Sequence, residues 1–185
     1  MDVTTWKIRI AQQTDVPALL QIYTPYVETT PITFDYETPT VEEFGRRMVA
    51  IQEKYPYLVC ESNDGKIVGY AYASAYKNRT AYNWTVETSI YLDGRVKGQG
   101  AGSALYQALE EKLSQQNICV LLACITAGNE ESIAFHKKFS YREVAYFPNL
   151  GYKSGQWLDV LWMQKELGPI QGAPLAFLPI HEIDY

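Results

Sequence analysis

The stretch Thr85-Val86-Glu87-Thr88-Ser89-Ile90-Tyr91-Leu92, followed closely by Arg95-Val96-Lys97-Gly98-Gln99-Gly100-Ala101-Gly102, decides how the whole chain is read. Its first part alternates. Val86, Thr88, Ile90 and Leu92 share one face and Glu87, Ser89 and Tyr91 the other, which is the period of a strand. The second part brings three closely spaced glycines to the start of a helix. Such glycines let backbone approach a ligand, and the first amides of a helix lack internal partners and carry partial positive charge. With Arg95 and Lys97 adding charge, the turn reads either as an anion cradle suited to a diphosphate or as a bend that merely lets strand and helix pack. Two other phosphate motifs are excluded: the dinucleotide fingerprint requires glycine where Ser103 stands, and no G-K-[ST] triplet occurs.

Outward from this join, the apolar pattern alternates between strand and helix periods. Lys7 to Ala11 predicts a short strand. Asp15 predicts a helix cap, with Pro17 in the first turn and Val16, Leu19, Leu20 and Tyr23 on one side. Thr40 and Glu43 have capping-box spacing, with Phe44, Met48 and Ile51 at helical steps. The Thr- and Pro-rich Thr29 to Pro39 between them is a loop. Tyr57 to Glu61 and Ile67 to Ser74 are strands joined by the hairpin signal Asn63-Asp64-Gly65-Lys66. Beyond the cradle, Ala101 to Gln115 carries Leu105, Leu109 and Leu113 at helical spacing, and Val120 to Ile125 is apolar enough for a central strand. Glu130 to Phe139 predicts a second helix and Trp157 to Gln164 a last strand. The order is α/β with a hairpin meander in the middle, one domain over 1–167, followed by an extended Pro- and Gly-containing tail over 168–185.

The 185 residues are 47% hydrophobic and 20% charged, which excludes wholesale disorder. A net charge of −5 is the wrong sign for a general nucleic-acid binder. No stretch reaches the ~18 consecutive apolar residues of a membrane span, and the N-terminus lacks a signal-peptide pattern, so the expected location is the cytosol. Cys60, Cys119 and Cys124 read as reduced core thiols, and no close Cys/His quartet suggests a metal. Aromatic residues are abundant, at 14% of the chain. They gather at Phe34 and Tyr36, at Tyr76, Tyr82 and Trp84, and at Tyr146, Phe147, Tyr152 and Trp157, and are expected to wall a cleft and a subunit boundary.

The R-x-x-G-x-G-x-G spacing after a strand, followed one strand later by Asn129-Glu130-Glu131-Ser132-Ile133-Ala134-Phe135-His136, resembles the GNAT acetyltransferase superfamily. The segments Ile32-Thr33-Phe34, Tyr55-Pro56-Tyr57-Leu58-Val59, Ala81-Tyr82-Asn83-Trp84-Thr85-Val86-Glu87 and Gly151-Tyr152-Lys153-Ser154-Gly155-Gln156-Trp157-Leu158-Asp159-Val160 narrow it to the phosphinothricin and methionine sulfoximine acetyltransferase branch. The chain departs from that pattern at Ser140, where the helix end usually has glycine, and in the variable loop Lys77-Asn78-Arg79.

The resemblance implies a central mixed, twisted sheet with an antiparallel meander, splayed central strands and flanking helices. It implies acetyl-CoA as cosubstrate, no metal, and direct attack of an amine on the thioester. The pyrophosphate falls to Arg95, Lys97, Gly98, Gln99, Gly100, Ala101, Gly102 and Ser103. The pantetheine falls to the backbone of Ile90, Tyr91 and Leu92, an amide at Ile90 or Tyr91 supporting the developing oxyanion. Asn129 bonds the pantetheine or caps its helix, and both roles are compatible.

An α-ammonium group, with a pKa of about 8, must lose a proton before it attacks. Glu87 is the candidate base; the alternative is a solvated or salt-bridged strand carboxylate. His136 stands where many superfamily members have tyrosine and is the candidate acid for the leaving thiolate; the alternative is a surface or satisfied helix residue. Arg79, with Lys77 and Asn78 beside it, is the candidate grip on an amino acid's carboxylate, or simply a solvated basic loop. Thr88 and Ser89 add polar contacts, and Phe34 closes the side of the pocket. Tyr152, Lys153 and Trp157 resemble the segment that reaches a partner subunit's site, which implies a homodimer. The rival readings are an acetyltransferase for a protein N-terminus, polyamine or aminoglycoside, and a non-catalytic acetyl-CoA sensor.

Overall fold

The computed structural model describes residues 6–168 and 170–183. The first five residues, where a signal peptide would begin, Pro169 and the last two residues of the tail lie outside that description. The described chain runs β1 (Lys7–Ile10), α1 (Val16–Thr29), α2 (Val41–Gln52), β2 (Tyr57–Glu61), β3 (Ile67–Ala75), β4 (Thr85–Leu92), α3 (Ala101–Gln115), β5 (Val120–Thr126), α4 (Glu130–Lys138), β6 (Arg142–Lys153) and β7 (Gln156–Glu166). One seven-stranded sheet orders them β1-β2-β3-β4-β5-β7-β6. Every adjacent pair is antiparallel except β4 with β5.

Each sheet face carries its own core. On one, Leu105, Leu109 and Leu113 of α3 are fully buried against Val86, Leu121, Ala123, Ile125 and Met163. Each such leucine contributes on the order of 1.5–3 kcal/mol through removal from water. On the other, α1 and α2 bring Leu19, Ile22, Phe44 and Met48 onto Tyr57, Val59 and Tyr70. Much of the aromatic excess sits in this second core rather than in the expected walls. Tyr57 stacks on Tyr70 and Tyr72 with interplanar angles of 12° and 10°, and Tyr91 packs against Tyr23, Tyr26 and Tyr70.

Three local expectations are corrected, and one strand is added. Asp15 does not cap α1: its carboxylate accepts from the Gln12 amide at 2.7 Å and from Arg9 at 2.6 Å. These bonds outweigh its desolvation and hold its pKa below the usual carboxylate value. β6 is a strand that period-2 reading misses, because nearly all its positions are exposed and its register shifts between Phe147 and Gly151; the ladder with β7 defines it. Of the three cysteines only Cys60 is buried; Cys119 is half-buried and Cys124 exposed. Lys153 does not reach outward. Its ammonium donates to the carbonyls of Val27, Thr30 and Thr33 at 2.7–2.9 Å, tying the β6–β7 hairpin to the end of α1.

The tail lies across its own chain. Leu178 N–H donates to the Gln116 carbonyl, Gln116 Nε2 returns a bond to the Leu178 carbonyl, and the Trp84 indole donates to the Leu175 carbonyl at 2.6 Å. At the end of α4, Ser140 adopts φ +67°, the left-handed conformation in which a side chain is disfavoured. Ser140→Gly should therefore stabilise the fold by about 1 kcal/mol, raising Tm by about 2–4 °C in a thermal melt.

Candidate functional site

The split between β4 and β5 organises the site. Their parallel pairing is registered at Thr85, Val86 and Glu87 against Val120, Leu121 and Leu122, and goes no further, although both strands continue. The direction of each free backbone group follows from strand alternation. Asp93 N–H donates to the Val68 carbonyl on β3, so Tyr91 and Ser89 also turn their backbone groups to β3, while Leu92, Ile90 and Thr88 turn theirs to the β5 side. The amide and carbonyl of Leu92 meet the Tyr26 hydroxyl, at 3.3 and 2.7 Å. Ile90 is thus the residue that presents its backbone to the open split. Tyr91 and Leu92 cannot do the same, since the backbone of one is committed to β3 and that of the other to Tyr26.

A cavity of about 490 Å³ opens from the split between the glycine turn and α4, lined by Ile90, Leu92, Lys97, Gly98, Asn129 and Ser132 among others. A wider groove of about 1120 Å³, bounded by α1, the β2–β3 hairpin and Asp93 to Gln99, shares Tyr26, Leu92 and Lys97 with it. The glycine turn has the geometry its composition requires. Gly98 and Gly100 sit at φ +77° and +92°, and Gly100 is the N-cap of α3. The helix bond Ala104 N–H to Gly100 carbonyl leaves the amides of Ala101, Gly102 and Ser103 at the open end. A Cβ on Gly102 would stand 3.1 Å from Leu92 and 3.3 Å from Phe135, so glycine also sets how closely α3 approaches the split. Gln99 is held by its carbonyl, which accepts from the Trp6 indole at 3.0 Å. Arg95 pairs with Asp93, and Lys97 with Glu131 of α4 at 2.6 Å. Asn129 Oδ1 accepts from the Ser132 amide and caps α4.

These features fit acetyl-CoA. Unpartnered helix amides beside two cations suit its diphosphate, the cavity beside Asn129 suits its pantetheine, and the open Ile90 backbone suits its thioester. Among the described residues, no group of three His, Cys, Asp or Glu side chains is arranged to hold a metal.

On the α1–α2 side of the sheet, Glu87 is half-buried, and no hydrogen bond or ion pair among the described residues engages its carboxylate. Burial pushes its pKa up, and the Lys77 ammonium opposes that shift. Ser89, on the same face, engages the Tyr72 phenol. The sequence reading missed two neighbours across the split. Cys124 pairs with Trp162 on β7 and shares the Glu87 face of the sheet; although the residue is exposed, partial desolvation of its thiol and then Glu87 push its pKa up to about 12. Trp162 meets Tyr76 edge to face. The signal was present in β5, where Leu122, Cys124 and Thr126 alternate with the core residues Leu121, Ala123 and Ile125. Phe34 lies against Gly151, and a Cβ there would fall 2.2 Å from its ring. If Phe34 bounds the acceptor site, Gly151→Ala, which must displace its ring, should raise the acceptor KM about threefold or more, with the acetyl-CoA KM unchanged, in steady-state kinetics.

The basic loop divides. The Lys77 ammonium lies 5.1 Å from the Tyr76 ring centroid and within electrostatic reach of Glu87. Asn78 and Arg79 are exposed, and Arg79 forms no described side-chain bond. Two expected site residues face elsewhere. Thr88 is buried on the α3 side, its hydroxyl donating to the Leu122 carbonyl at 3.1 Å, so it does not meet an acceptor on the Glu87 face of the sheet. His136 is 3% exposed. Its Nδ1 lies 2.7 Å from the Ser132 carbonyl and its Nε2 2.7 Å from the Tyr106 hydroxyl, and burial lowers its pKa. A neutral ring with both nitrogens occupied is not placed to hand a proton directly to a departing thiolate.

The family model for the acetyltransferase (GNAT) domain matches residues 8–162. The phosphinothricin N-acetyltransferase of Streptomyces viridochromogenes is 33% identical over 96% of this chain and 96% of its own. The L-methionine sulfoximine/L-methionine sulfone acetyltransferase of Pseudomonas aeruginosa is 34% identical over 90% and 98%. A phosphinothricin acetyltransferase from Sinorhizobium meliloti, solved in complex with AcCoA, superposes with a TM-score of 0.88 at 33% identity, covering 94% of each chain. The chain belongs to the GNAT acetyltransferase family. It is an acyltransferase that uses acetyl-CoA.

Proposed function

We propose that the chain acetylates the α-amino group of a small amino acid or of its phosphinic, sulfoximine or sulfone analogue. The observation that carries this reading is the pairing of an unengaged, partly desolvated Glu87 with the open Ile90 amide, on one strand at the fork of the split. The relatives' names supply the acceptor class.

Acetyl-CoA supplies an acetyl group activated as a thioester. Glu87 accepts the ammonium proton of the acceptor, directly or through a water, and its raised pKa brings it closer to that amine's own. Ile90 N–H is aimed where negative charge gathers on the acetyl oxygen, and as a fixed dipole it needs no reorganisation. Lys77 and Arg79 supply cations for the acceptor's carboxylate. At the leaving sulfur the chain need not supply an acid, since an ordinary thiol has a pKa of about 8.5.

We also infer a homodimer. Tyr146, Phe147, Leu150, Tyr152 and Trp157 are exposed along the β6–β7 hairpin, an apolar surface suited to a second copy. Sedimentation velocity at micromolar concentration should give about 42 kDa, twice the 21.1 kDa chain. No helix among the described residues is long and apolar enough to cross a membrane, and a cytosolic location suits the free thiols and the cosubstrate.

Thiol release from acetyl-CoA, measured with methionine sulfone, methionine sulfoximine, phosphinothricin, polyamines and N-terminal peptides, tests the acceptor class. Turnover should be fastest with an amino-acid analogue. Preferential turnover of polyamines or peptides would overturn the acceptor assignment, and acetyl-CoA binding without release on any amine would favour a sensor.

A further inference from the structure

The buried polar cluster behind the split has no role in the chemistry described above, yet it meets β4 at the fork. Leu122 stands at the last registered rung between β4 and β5, and its carbonyl accepts the Thr88 hydroxyl at 3.1 Å. Thr88 Oγ1 is in turn 3.1 Å from the Tyr106 hydroxyl of α3 and 3.3 Å from that of Tyr141, just beyond α4. The Tyr106 hydroxyl is also 2.7 Å from His136 Nε2. The ring is fixed from its far side. The Ser132 carbonyl can only accept, so Nδ1 carries the proton and Nε2 of the neutral ring takes the one proton of the Tyr106 hydroxyl. With its own proton on the Leu122 carbonyl, Thr88 Oγ1 accepts from the Tyr141 hydroxyl. Thr88, Tyr106, His136 and Tyr141 are each 5% exposed or less. Phe135 and Phe139 pack against the Tyr106 ring, edge to face, at 4.9 and 5.3 Å.

Buried hydroxyls linked in this way are costly to leave unpaired and hold one arrangement. Thr88 immediately follows Glu87 and precedes Ile90 by two residues. The hydroxyl that fixes Thr88 on the last rung therefore sets, on opposite sides of the strand, where the base and the donor amide stand.

We propose that Thr88, backed by Tyr141, is a positioning residue for acetyl transfer: its hydroxyl fixes the point at which β4 leaves β5 and so holds the thioester slot open at Ile90. The proposal rests on the transferase reading for its kinetic consequence and on the fold alone for its structural one.

Thr88→Val keeps shape and removes the hydroxyl; Thr88→Ser keeps the hydroxyl; Tyr141→Phe keeps the buried ring. In steady-state kinetics with calorimetric acetyl-CoA binding, Thr88→Val should lower kcat about tenfold or more while Kd changes less than about threefold. Thr88→Ser should restore kcat to within about threefold. Tyr141→Phe should act in the same direction, and the double variant Thr88→Val/Tyr141→Phe should be no worse than Thr88→Val alone, because the two hydroxyls act as one unit. Amide hydrogen exchange provides a readout independent of turnover. The wild type should protect the paired Leu122 amide and leave Ile90 open, and Thr88→Val should narrow that difference about tenfold. Wild-type kcat together with an unchanged exchange difference in Thr88→Val would overturn the proposal, as would fully additive losses in the double variant. If the wild type turns over no amine but exchange responds as described, the positioning role stands and the transferase reading falls.

Discussion

Glu87→Gln should lower kcat/KM for the amino-acid acceptor about 100-fold or more at neutral pH, the scale of loss when a positioned general base is removed. The amide is nearly isosteric with the carboxylate and cannot accept the ammonium proton. Acetyl-CoA affinity should stay within about twofold, because Glu87 lies on the acceptor face of β4, apart from the glycine turn. The pH profile carries the sharper signature. Burial raises the Glu87 pKa above the ordinary 4.5, and only the deprotonated form works as a base. Activity should therefore rise with pH in two limbs, the lower through a value above 4.5 and the upper through the acceptor amine's own ionisation at about 8. In Glu87→Gln the lower limb should vanish and the upper one remain. Wild-type turnover in the variant, or retention of the lower limb, would remove Glu87 from the mechanism.

The second large effect belongs to the glycine turn. Gly100→Val should weaken acetyl-CoA binding about tenfold or more, because a β-branched residue at φ +92° costs roughly 1–3 kcal/mol, relieved only by rotating the first amides of α3 away from their present direction. Gly172→Val is the matched control. It places the same side chain at φ +68° in the tail, where a Cβ would meet nothing within 4 Å. Calorimetry should show the affinity loss in the first variant alone, while melting temperatures report the strain in both. Equal acetyl-CoA affinity in Gly100→Val and wild type would show that the turn does not hold the diphosphate.

How legible these features are in the sequence depends on whether local chemistry or distant contacts decide them. The strand–glycine–helix join is readable because backbone conformation at Gly98 and Gly100, the alternation of β4 and the leucine spacing of α3 are each encoded within a few residues. The split is expected only by resemblance, since no side chain between Thr88 and Leu92 announces that pairing stops. The choice of Ile90 over Tyr91 as the open amide needs the register with β3, which one strand cannot reveal. His136 illustrates the opposite failure. Its residue type and the family resemblance suggest an acid facing the cosubstrate, but Tyr106, thirty positions away, closes off one nitrogen. Lys153 shows the same limit: a lysine read as reaching outward is consumed by three carbonyls at and just beyond the end of α1. Strand β6 escapes a local reading because its partner, not its period, defines it.

The claim that this fork transfers acetyl to an amino acid's nitrogen is tested most directly by identifying the product. Incubation with isotopically labelled acetyl-CoA and methionine sulfone, followed by mass spectrometry and NMR, should locate the label as an amide on the α-nitrogen, formed in step with thiol release. Thiol release with the label recovered as free acetate, or no transfer to any amino-acid analogue while a peptide N-terminus or polyamine is acetylated, would contradict it.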